Sequence, residues 1–197
     1  MVMRILIAGV LGGVAMFIWS SIAHMVLPLG EAGMKEIPDE ATVTRELHRS
    51  LADKSGLYIF PGLGVGENAT REEKHAAMKK AMDKVATGPS GILMYNSARP
   101  FSFARYLSIE FITEVVEATL AVFLLAQTTL GSFAGRVGFI TLAGVLAAIA
   151  TNVPYWNWYG FPAVYTLSYM FIQIVGFVCA GIIAALVLRR TIPRHVS

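Results

Sequence analysis

The chain has 197 residues, of which 55% are hydrophobic and only 15% charged, and its mean hydropathy is +0.60. That is too apolar for an ordinary soluble domain and points to a membrane protein. The net charge of +3 is small, and Lys and Arg alternate with Asp and Glu through the middle third, which excludes the basic stripe that nucleic-acid binding requires. The single cysteine, Cys179, excludes a disulfide framework, a Cys-rich zinc site and a CxxC redox pair; it reads as a small buried hydrophobe.

A helix of about 20 apolar residues crosses a hydrocarbon core of roughly 30 Å. Four segments meet that length: 5–27, 106–127, 137–155 and 163–188. The expected fold class is therefore a membrane all-α protein, a four-transmembrane-helix bundle with a small α/β insert of order α-β-α-β between helices 1 and 2. Residues 1–28 form the first helix region, 29–105 the insert, 106–190 the remaining three helices and 191–197 a tail. The first segment starts like a signal peptide, with Arg4 ahead of an apolar run. It continues past Trp19 and His24 to Pro28 and lacks a clean A-x-A site near Gly30 to Gly33, so a retained helix is expected.

The insert has soluble patterning. Pro38-Asp39 leads into a helix to about residue 53, with Val43, Leu47 and Leu51 on one face. Residues 56–61 read as a strand, and Thr70-Arg71-Glu72-Glu73 as a capping box opening a helix that ends at Gly88-Pro89. Residues 91–95 read as a second strand. Strand, helix and strand predict a β-α-β unit with a right-handed crossover. Its core is small, so it is expected to rest on the bundle or on a partner. The run Gly62-Leu63-Gly64-Val65-Gly66 lacks both G-x-G-x-x-G spacing and a Walker lysine and reads as a turn. His48 and His75 read as solvated.

Lys and Arg in short loops remain cytoplasmic. Arg4, Arg136, Arg189, Arg190 and Arg194 fall on one side if the spans alternate, giving cytoplasmic termini and an exoplasmic, periplasmic insert in a cell inner membrane. Compactness and the lack of sorting signals point to a bacterial one. Trp156-Asn157-Trp158-Tyr159-Gly160 reads as a tight interfacial loop.

The second span carries Glu110, Glu114 and Glu117. At about 100° per residue they share one face, at depths of about 6, 12 and 16 Å from Tyr106. Such groups normally face a bundle interior or a water-filled cavity. His24 on the first span, Asn152 on the third, and Tyr165, Tyr169 and Gln173 on the fourth lie at matching depths, whereas the opposite halves of all four spans are nearly apolar. These eight residues are the candidate ligand-binding set, lining a pocket with an apolar floor. Any metal would fall to Glu110, Glu114 and His24; no cofactor is specified. The di-iron Glu-x-x-His pair is missing, and bis-histidine haem ligation within one chain is excluded, so the sequence favours a non-enzyme. It favours an accessory or scaffold subunit of an inner-membrane complex. The alternative is a binding protein for a cation, a proton or a small amphipathic ligand. Expected partners are the lipid bilayer and other membrane subunits or a second copy.

Overall fold

A computed structural model describes residues 2–188. Arg189, Arg190, Arg194 and the expected tail lie outside the described residues. The chain is mostly helical: α1 (Val2–Met25), a 3-10 turn (Leu29–Glu31), α2 (Glu40–Leu51), β1 (Gly56–Phe60), α3 (Arg71–Thr87), β2 (Gly91–Tyr95), α4 (Phe103–Ala126), α5 (Phe133–Tyr159) and α6 (Ala163–Val187). Two compact units are present. One comprises the chain up to Met34 and from Ser102 onward, and the other is Lys35–Phe101.

In the first unit α1, α5 and α6 are long and apolar enough to cross a membrane. Helix α4 is as long as α1, at 24 residues, yet every 18-residue stretch of it contains Glu110, Glu114 and Glu117. The glutamates alone set it apart. Side-chain caps open two of these helices: Ser102 accepts from the Arg105 N–H of α4 and Ser132 from the Gly135 N–H of α5. Such caps satisfy amide donors that have no partner inside the helix.

Small residues bring the helices together. A Cβ added to Gly9 would lie 2.6 Å from Thr119 Cα, and one added to Gly13 would collide with the Val115 backbone. Another turn along, Phe17 meets Phe111 edge-to-face at 5.4 Å. Each step of four along α1 is thus matched by four back along α4, an antiparallel ladder with almost no side chain between the backbones at its glycine rungs. Gly12 touches both Ala118 and Ala180, Trp19 bonds to α6 at Ile172, and Gly144 and Gly181 of α5 and α6 abut Phe177 and Val137. Helix α1 therefore runs antiparallel to both α4 and α6, and α5 antiparallel to α6. Helix α4 follows α1 closely but meets α5 and α6 only briefly. The apolar core, with Ile5, Ala8, Val122, Leu125, Ile140 and Phe177, occupies the half of the unit that contains the start of α1 and the end of α4.

The expected loop at Trp156 to Gly160 is corrected: α5 continues through Pro154 to Tyr159 and stops at Gly160, which adopts φ 70°. A proline removes one helical hydrogen bond, and here the helix resumes past it. Tyr155 stacks on Tyr159 and Phe161 at 5.8 and 5.3 Å, which holds the final turn. Glycine at this left-handed position is the usual helix terminator.

In the second unit the β-α-β expectation is also corrected. Strands β1 and β2 pair antiparallel, with Leu57 opposite Met94 and Ile59 opposite Ile92. The extended stretch 61–70 has the reach to carry the chain away over the roughly 25 Å that α3 retraces at about 1.5 Å per residue. The chain then re-enters the sheet from the end at which it left, and no crossover is required. The capping box is present: Thr70 Oγ1 accepts from Glu73 N–H, while Thr70 N–H donates to Glu73 Oε2 at 2.8 Å. Val43, Leu47 and Leu51 form the half-buried side of α2. Among the described residues of this unit only Ala77 is fully buried.

Two outcomes follow from this packing. Gly13→Ala forces the α1 and α4 backbones apart and should cost about 1–3 kcal/mol, read as a lower midpoint of unfolding in mild detergent; an unchanged midpoint would show that the close approach is dispensable. In the second unit, bonds from the Thr70 backbone and side chain hold the Glu73 carboxyl below its ordinary value of 4.5. A depressed carboxyl contributes stability that is present above its unfolded value and lost as pH falls through the folded one. Protection of the α3 amides in the full chain, taken relative to their intrinsic exchange at each pH, should fall below about pH 4.5, and Glu73→Gln should flatten that dependence.

Candidate functional site

In the half of the first unit opposite the apolar core the four helices part and leave a cavity of about 520 Å³. This is within the range of small-molecule sites, about 300–1,000 Å³. Seven of the eight candidate residues line it: Glu110, Glu114 and Glu117 from α4, His24 from α1, Asn152 from α5, and Tyr169 and Gln173 from α6. The gap exists because α4, fixed to α1 by the glycine ladder, scarcely touches α5 and α6.

Tyr165 is the candidate that does not line the cavity. Its ring stacks between Phe161 at 5.4 Å and Tyr169 at 4.4 Å. Residues four apart drift by about 40° on a helix, so Tyr165 is turned about 80° from Gln173. It supports the Tyr169 ring from behind, and Tyr169 O–H in turn donates to Gly30 O at 3.3 Å.

The three glutamates are graded in burial. Glu110 is exposed and Glu117 half-buried, while Glu114 is only 7% exposed. Ser20, equally buried, lies beside Glu114. Glu114 Oε2 is a buried acceptor with no hydrogen-bond partner. In native proteins such atoms are rare, because an unmatched buried polar group costs about 1–3 kcal/mol and more when charged.

His24 Nδ1 donates to Ser20 O at 2.9 Å, since a carbonyl can only accept, which puts a proton on that nitrogen. Its opposite edge packs on Gly30, where any Cβ would collide with the ring. The ring also stands edge-on to Tyr169 at 5.9 Å. Asn152 Nδ2 donates to Ala148 O at 2.9 Å and reaches Gln173 Oε1 at 3.4 Å, tying α5 to α6 across the wall. Trp19 Nε1 donates to Ile172 O at 2.9 Å.

No protein-family model matches this chain, and no curated protein and no solved structure matches it. Its chemistry is read from the site alone.

From the sequence, any metal is expected to fall to Glu110, Glu114 and His24. Among the described residues no group of three or more His, Cys, Asp or Glu side chains is arranged to hold a metal ion. His24 is turned back onto its own helix and clamped by Gly30, so it does not complete a carboxylate pair. His48 and His75 are solvent-exposed in the second unit, and Cys179 is a half-buried free thiol on α6.

Sequence reasoning omitted several lining residues: Met16, Phe17, Trp19, Tyr106 and Thr151. A lone Trp or Phe in an apolar span gives no sign of which way it faces. The Phe17 position became readable only once the glycine ladder set the α1 to α4 register.

If the site is preorganised at the expense of stability, removing the unmatched oxygen should reveal it. Replacing Glu114 with methionine, a side chain of similar length, should raise the thermal midpoint of the ligand-free protein, by about 1–3 kcal/mol. A fall would mean that the carboxylate is satisfied and structural.

Proposed function

We propose that the chain is a four-span integral protein of a bacterial inner membrane, with both termini cytoplasmic and residues 35–101 on the periplasmic side. In this reading the cavity opens to that side and binds a small ligand: a cation, a proton or an amphipathic molecule. The observation that carries it is Glu114, a buried carboxylate with an unmatched oxygen on the wall of a ligand-sized cavity. A carboxylate that only specifies helix packing would be expected to match both oxygens on neighbouring helices, whereas Glu114 meets Ser20 of α1 and still leaves Oε2 unmatched; such interhelical contacts bring only about 0.6 kcal/mol on average.

Membrane crossing by α4 is supported by its outward face. Ile109, Ile112, Val116, Leu120 and Phe123 are all exposed, and they form one stripe centred about 120° from the glutamates. A helix apolar on one side and acidic on the other fits a position between lipid and a polar cavity. The orientation is supported by the antiparallel packing, which brings Arg4 and Arg136 to the same end, opposite the cavity. Arg136 donates from Nε to Leu130 O and so closes the turn between α4 and α5.

A second reading, an accessory subunit of a larger complex, is favoured by one observation. Leu57, Ile59 and Met94 share a face of the two-stranded sheet and are each about 70% exposed, an apolar surface suited to a partner.

Two experiments test these readings. In a Cys179→Ser background, Glu67→Cys should react with an impermeant maleimide in intact spheroplasts and Thr129→Cys should not; the reverse pattern overturns the orientation. Thermal unfolding of the purified protein, titrated with sodium, calcium, acid and alkyl amphiphiles, should show saturable stabilisation by at least one of them. Absence of any such effect, together with stoichiometric co-purification of other membrane proteins, would favour the accessory role.

A further inference from the structure

The cavity wall has a chemical bias that narrows its ligand. Its lining includes three carboxylates and neither lysine nor arginine. Six of its polar side chains have also turned a proton away from the cavity. Trp19 Nε1, Ser21 Oγ, His24 Nδ1, Thr113 Oγ1, Asn152 Nδ2 and Tyr169 O–H each donate to a backbone carbonyl. What faces the cavity is then rich in carboxylate acceptors and aromatic faces, with Gln173 and Thr151 as neutral donors and no cation. An anionic ligand would face three carboxylates and no cation there, and a ligand that carries acceptors alone would leave Glu114 Oε2 unmatched.

The remaining surface decides between an inorganic and an organic cation. No three-ligand group stands at the glutamates, and Ca²⁺ takes about six to eight oxygen ligands while Mg²⁺ demands a near-ideal octahedron. The space of about 520 Å³ is far larger than an ion needs, and much of its wall is apolar, with Met16, Met25, Phe103, Leu107 and Ile172. Phe17, Trp19 and Tyr169 add aromatic faces on two sides, the groups that attract an alkylammonium through their π-electrons.

Resting on the proposed reading of the cavity as a ligand site, we infer that its ligand is an organic ammonium, a protonated amine on an apolar body. The ammonium N–H donates to the Glu114 carboxylate, which must turn its sealed Oε2 toward the cavity to meet it, Glu110 at the exposed rim draws the cation in, and the apolar body lies along the Met and Phe wall. The cleft between α4 and the α5–α6 pair leaves room for the far end of a linear chain.

The test uses the full chain in nanodiscs of zwitterionic lipid, with Trp156→Phe and Trp158→Phe so that Trp19 is the only tryptophan. Decylammonium, decanol and decanoate share one tail and differ in head group. Each is titrated against Trp19 fluorescence and corrected for partitioning into protein-free discs. Decylammonium should saturate with a Kd at least about tenfold below that of decanol, and decanoate should not saturate. Glu114→Gln, which preserves size, should erase most of that tenfold preference, and decanol that still saturates reports that the variant is folded. If Glu114→Gln does not fold, the head-group preference of the parent protein still decides the matter. Equal affinity for decanol and decylammonium overturns the ammonium inference but leaves an amphiphile site standing. Saturation by sodium or calcium alone, with no alkyl probe bound, overturns it in favour of an inorganic cation. No saturation by any probe overturns both this inference and the ligand-site reading on which it rests.

Discussion

The near-contact of the α1 and α4 backbones is the constraint on which the rest of the first unit depends. Gly9 and Gly13 leave no room for a side chain against Thr119 and Val115, so the close approach sets which face of α4 is turned to α1. With Val115 turned to α1, Glu114 faces inward and Ile112, Val116 and Leu120 face outward. A slip of one residue in this register would rotate α4 by about 100° and carry the carboxylates toward the outer surface. The same inward face continues from Glu114 through Ala118 and Ala121 to Leu125, acidic in its first half and apolar in its second.

Because α4 is held by α1, it need not be held by α5 and α6, and it scarcely is. The cavity is a consequence of that geometry rather than of missing volume. Packing is concentrated elsewhere, where Ala8, Ala118, Val122, Ile140, Ala180 and Ala184 are sealed from solvent. Close packing of small residues in the dry half supplies dispersion contacts that offset an unmatched carboxylate in the polar half. Functional sites are where local rules of this kind are expected to be broken, and Glu114 Oε2 breaks the rule that buried polar atoms are paired.

Much of this was legible in the sequence, for identifiable reasons. The helices show as long apolar runs, and the capping box at Thr70 and Glu73 is a local signal that no distant contact overrides. The glutamates share a face because they lie within seven residues, too short a distance for helical drift to separate them. Over the eight residues from Tyr165 to Gln173 the same drift matters, and Tyr165 falls outside the cavity. Strand direction was not legible, because the segment between β1 and β2 fits either sense of pairing and only its route in space decides. The run from Trp156 to Gly160 read as a loop, but it is the last turn of α5, which ends only at Gly160. The convergence of donors onto backbone carbonyls was invisible, since it depends on rotamers that composition does not encode.

The division into a polar and a dry half also bears on whether the cavity is a site or a passage. Val122 and Ile140 are the largest side chains wholly removed from solvent, and with Phe177 they close the end of the unit away from the glutamates. A hydrated route through this plug would have to displace close-packed residues from three helices. Transporters place their binding groups between two halves that can each open, often beside broken helices, whereas here α1, α4 and α6 run unbroken past the plug. On the proposed reading of the cavity as a ligand site, a ligand that enters beside Glu110 would leave by the same side, and the cost of keeping Glu114 unmatched would be recovered in binding rather than in passage.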